Sequence, residues 1–84
     1  MLVKLYTTNK TLEKMLNNFV IYHNIKGDFI PYYANEIDAQ NKICIMLYNV
    51  TFIKEKSDII TLHFNNISID ILKDSIIEYI VQTI

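Results

Sequence analysis

At 84 residues this chain is long enough for one domain and too short for two. Apolar residues make up 51% of it, enough for a packed core, while a net charge of −1 gives none of the strongly basic balance that a dedicated nucleic-acid binder carries. The single cysteine excludes an internal disulfide framework, and no apolar run approaches the roughly 18 residues that span a bilayer.

The charge is unevenly placed. Lys4, Lys10, Lys14 and Lys26 outweigh Glu13 in the first 27 residues, and the remainder is acidic. Arginine is absent, so any phosphate contact has to come from lysine and backbone amides. Residues with AT-rich codons (Phe, Tyr, Met, Ile, Asn and Lys) fill more than half of the chain, and Gly, Ala, Arg and Pro together contribute four positions. That usage points to an AT-rich bacterium, phage or mobile element. With no leader-like segment at Met1–Tyr6, the expected compartment is the cytoplasm of a bacterial host.

In chain order, Leu2–Tyr6 reads as a strand and Thr7, Thr8 and Asn9 as capping residues for a helix from Lys10 to about Asn24. Its apolar stripe is Leu12, Met15, Leu16, Phe19, Val20 and His23, and Gly27 is expected as the left-handed residue that ends it. Asp28–Tyr33 reads as a short aromatic strand that Pro31 confines to an edge or a bulge, since proline cannot donate to a ladder. Lys42–Asn49 is nearly unbroken apolar sequence, suited to a central strand covered on both faces.

Asn65-Asn66 separates two alternating runs and predicts a hairpin. Its register would place Phe64 opposite Ile67, Leu62 opposite Ile69 and Ile60 opposite Ile71, with His63–Ser68 and Thr61–Asp70 on the polar face. A preceding strand, Val50–Lys54, is expected to put Val50 and Phe52 on the apolar face, through a connection of odd length around Lys56. The spacing Ser75-Ile76-Ile77-Glu78 predicts a capping box and a C-terminal helix to Ile84; alternating Ile77, Tyr79 and Val81 leave a last strand as the competing reading. The expectation is therefore a single α+β domain over 1–84. Its mostly antiparallel sheet has five to six strands in the order β-α-β-β-β-β-β-α, with both helices on one face and the strand after the first helix free to pair parallel to the first.

The chain offers little chemistry. His23, His63 and Cys44 share no ligand-like spacing, so no metal is expected; His23 reads as a core histidine, His63 as a solvated one and Cys44 as a small buried hydrophobe. The carboxylates Glu36/Asp38 and Glu55/Asp58 fall where water solvates them, and Ser57, Ser68 and Ser75 each have a structural explanation. One glycine makes no phosphate loop. No enzymatic activity and no cofactor are expected. An interaction module is the simplest reading, with partner-binding residues Phe29, Tyr32, Tyr33, Glu36 and Asp38, where aromatic anchors lie beside acidic residues. By analogy of size and composition, the expected partner is a larger host protein or ribonucleoprotein complex, as for phage inhibitors of host defence, CRISPR effectors included. The alternatives are an RNA-binding regulator using Lys4, Lys10, Lys14 and Lys26, and a homo-oligomeric subunit, a homodimer in the simplest case.

Overall fold

A computed structural model describes residues 1–31 and 42–83. Its elements are β1 (Leu2–Thr7), α1 (Lys10–Tyr22), β2 (Gly27–Pro31), β3 (Ile43–Leu47), β4 (Phe52–Glu55), β5 (Ile59–His63), β6 (Ser68–Leu72), a 3-10 turn (Lys73–Ser75) and β7 (Glu78–Gln82). The class is α+β, built on two antiparallel sheets instead of one. A four-stranded sheet has the order β2-β3-β1-β7 and a three-stranded meander the order β4-β5-β6.

β1 and β2 run parallel to each other but do not pair. Each is antiparallel to β3, which lies between them, so β1-α1-β2 is a split crossover. A second crossover leads from β3 to β7 around β1, and it consists of the β4-β5-β6 meander.

One core joins these layers. Val3, Leu5, Ile43, Ile45 and Leu47 face α1's Leu12, Leu16 and Val20 and the meander's Ile60, Leu62, Phe64 and Ile71. Both α1 and the meander therefore pack on the same face of the four-stranded sheet. The strand period of two turns Leu2, Lys4 and Tyr6 of β1, and Cys44 and Met46 of β3, to the opposite face.

The local signals at the start of the chain operate as read. Asn9 Oδ1 accepts from the Leu12 amide at 2.9 Å and caps α1. The Thr7 hydroxyl accepts from the Asn9 amide at 2.9 Å and donates to the Ser75 carbonyl at 2.5 Å, joining the start of α1 to the approach of β7. Thr7 is the one buried polar residue among those described. The β5–β6 hairpin has the register expected from its alternation, Ile60↔Ile71, Leu62↔Ile69 and His63↔Ser68.

Several expectations are corrected. α1 ends at Tyr22, and Asn24, with φ 56°, takes the left-handed conformation in place of Gly27. Gly27 instead opens β2, where an added Cβ would lie 3.3 Å from Val20 and 3.4 Å from Leu47, so its small size serves a close approach. His23, just past the helix, is exposed, and its ring lies 4.8 Å from that of Phe19.

Phe52 is 56% exposed although Val50 is buried. Thr51 donates to the His63 carbonyl at 2.8 Å while Phe52 is paired with the same residue, so two residues oppose one and the parity shifts. The turn to β5 is then even, with Lys56 bonded to Ile59 across Ser57-Asp58.

The expected C-terminal helix is absent, and the order ends in a strand. β1 has a side left open by β3, and pairing there satisfies a whole strand of backbone groups, which isoleucine-rich sequence favours over a helix. Among the described residues, no helix is long and apolar enough to cross a membrane.

Candidate functional site

The second face of the four-stranded sheet is covered by neither α1 nor the meander. Across it run Asp28 and Ile30 on β2, Met46 and Cys44 on β3, Leu2, Lys4 and Tyr6 on β1, and Gln82, Ile80 and Glu78 on β7, as the registers require. Ile30 and Ile80 are 44% and 39% exposed. Cys44 is buried but lies outside the core cluster, in a row between Tyr6 and Ile30, its partners on either side. It is thus a small buried hydrophobe, as read, but on the face away from α1.

A polar arrangement closes one corner. The Tyr48 hydroxyl donates to Asp28 Oδ2 at 2.8 Å and contacts Met46 Sδ at 3.7 Å, while Lys26 Nζ sits 4.6 Å above the Tyr48 ring. The bond to Asp28 stabilises the protonated phenol, which moves the Tyr48 pKa upward. Behind this corner a cleft of 360 Å³ runs between the end of α1 (His23, Asn24), the end of β3 (Tyr48, Asn49) and the hairpin tip (Asn65, Asn66).

At the opposite end, Glu55 accepts from Lys73 Nζ at 2.5 Å and from the Tyr79 hydroxyl. This joins the meander to β7. Lys73 and Tyr79 together hold the Glu55 carboxyl below its ordinary range, and Glu55 in turn raises the Tyr79 phenol. All three groups have a bonding role that accounts for their positions. No group of three or more His, Cys, Asp or Glu side chains among the described residues is placed to hold a metal ion.

Of the partner-binding residues read from sequence, Phe29 is half-buried on β2, opposite Ile45, and packs against the core. Tyr32, Tyr33, Glu36 and Asp38 lie outside the described residues. The four lysines do not converge. Lys10 and Lys14 stand on the outer side of α1, where Lys10 is 3.6 Å from Glu13, whereas Lys4 belongs to the open sheet face and Lys26 to its Tyr48 corner.

Sequence reasoning missed the open face itself. Lys42–Asn49 was expected to be covered on both faces because its apolar run is unbroken, but α1 and the meander pack on the Ile43, Ile45 and Leu47 side alone, and which half of Leu2–Tyr6 faces the core depends on the same packing. No protein-family model, curated protein or solved structure matches this chain.

Proposed function

We propose that this chain is a non-enzymatic interaction module that binds a protein partner through the open face of its four-stranded sheet. The observation that carries this reading is that face itself: a four-stranded surface bearing Ile30, Met46, Leu2 and Ile80, with Lys4 and Lys26 balanced by Asp28 and Glu78. A part-apolar patch with aromatic residues and paired charge at its rim has the anatomy of a protein interface. The same balance weighs against a polyanion, which selects for one sign of charge.

Tyr32, Tyr33, Glu36 and Asp38 follow β2 directly in the chain, and we include them in the proposed interface. The AT-leaning residue usage supports a phage or mobile-element origin, and with it a host complex, a defence or nucleic-acid-processing assembly, as the partner class.

The test is capture from host lysate by three forms of the chain. A partner retained by the wild type and by Tyr22→Ala, which alters an exposed helix residue away from this face, and lost with Ile30→Lys is the expected result. Equal capture by Ile30→Lys removes the open face from consideration. Binding that survives nuclease treatment separates a protein partner from RNA, and turnover by the purified chain alone ends the non-enzymatic reading.

A further inference from the structure

Among the described residues β7 is an outer strand of its sheet, and its own sequence lacks the residues that keep such edges single. It contains no lysine and no proline, its one charge is Glu78, and Ile80 and Val81 are 39% and 41% exposed. The other outer strands differ. β2 ends in Pro31, β4 is only four residues long and carries Lys54 and Glu55, and β6 has Asp70 at its centre, so self-pairing there would oppose two carboxylates.

We infer that β7 pairs antiparallel with β7 of a second copy, about a two-fold axis at Ile80, joining two four-stranded sheets into one of eight strands. The register is determined by the sequence of the strand. With Ile80 opposite itself, Glu78 meets Gln82 of the copy on the open face, and Tyr79 meets Val81 on the face toward the core. Each of these is a favourable cross-strand combination: amide with carboxylate, aromatic with β-branched, isoleucine with isoleucine. Moving the register one way by two residues puts Tyr79 on the axis and opposes Glu78 to Ile80. Moving it by four opposes Glu78 to its own copy. The contact is isologous, so it closes at two copies and does not propagate. It is independent of what the open face binds, and it would double that face.

Sedimentation velocity over micromolar to millimolar concentrations tests it. The wild type is expected to pass from one chain mass to two. Gln82→Glu places carboxylates opposite each other at two symmetric positions and is expected to weaken the dimer roughly tenfold. Glu78→Lys added to Gln82→Glu restores opposite charges and is expected to recover it. Ile80→Lys, with two ammonium groups on the axis, is expected to leave monomer. Both Gln82 and Ile80 are exposed, and a retained circular-dichroism spectrum identifies variants that still fold. A wild type that stays monomeric throughout, or a dimer indifferent to Gln82→Glu and Ile80→Lys, overturns the inference.

Discussion

The two faces of the four-stranded sheet come from the same strands and alternate residue by residue, yet they have different physical roles. On β1, Val3 and Leu5 are fully buried beneath α1 and the meander, while Leu2, Lys4 and Tyr6 between them face the other way and are only half-buried. The inward set contributes stability by leaving water; the outward set faces away from α1 and the meander. The comparison teaches that the two faces of one strand are told apart by which of them α1 and the meander pack against.

The largest expected effect lies on the inward face. Leu5→Ala leaves a cavity among Leu16, Ile45 and their neighbours and should destabilise by about 2–5 kcal/mol. A domain this small typically has a margin of about 3–5 kcal/mol, so a chemical denaturation curve should show the variant largely unfolded. If Leu5→Ala melts like the wild type, the assignment of inward and outward faces is wrong.

Thr7→Val tests the seam where the inward face meets β7. It removes the donor to Ser75 and the acceptor for Asn9 at a buried position, and a loss of about 1–3 kcal/mol is expected. Asn9→Ala removes the α1 cap alone and should lower stability by about 1 kcal/mol in the same assay. On the outward face, Lys4→Ala should change stability by no more than about 0.5 kcal/mol.

The smallest effect concerns acid. The folded state lowers the Glu55 pKa, so the stabilisation is complete above the ordinary glutamate range and is lost as pH falls through the depressed value. Glu55→Gln should flatten that part of the acid limb of a stability–pH curve, slightly, because the group is solvent-exposed. An unchanged acid limb would show that the link between Glu55, Lys73 and Tyr79 does not persist in solution.

Short-range features were legible in the residues. The Asn9 cap and the β5–β6 register follow from hydrogen-bonding chemistry and period-two alternation within a few positions, and Pro31 narrowed its strand to an edge or a bulge, of which the structure shows the edge. Phe52 was misjudged because its parity depends on a bulge opposite His63, which the local pattern does not mark. The candidate site was not legible in this way: Leu2–Tyr6 reads as a strand, but nothing nearby says which of its faces α1 and the meander cover.

What the amino-acid order determined by itself was therefore the class, one helix with its cap, and a hairpin with its pairing, all decided by neighbours in the chain. What only the tertiary structure decided was the fate of Glu78–Gln82, the division into two sheets and the identity of the open face. The reason is that isoleucine-rich segments satisfy helix and strand periods almost equally. The vacant side of β1, a partner more than 70 residues away in sequence, supplied the backbone hydrogen bonds that settled the choice.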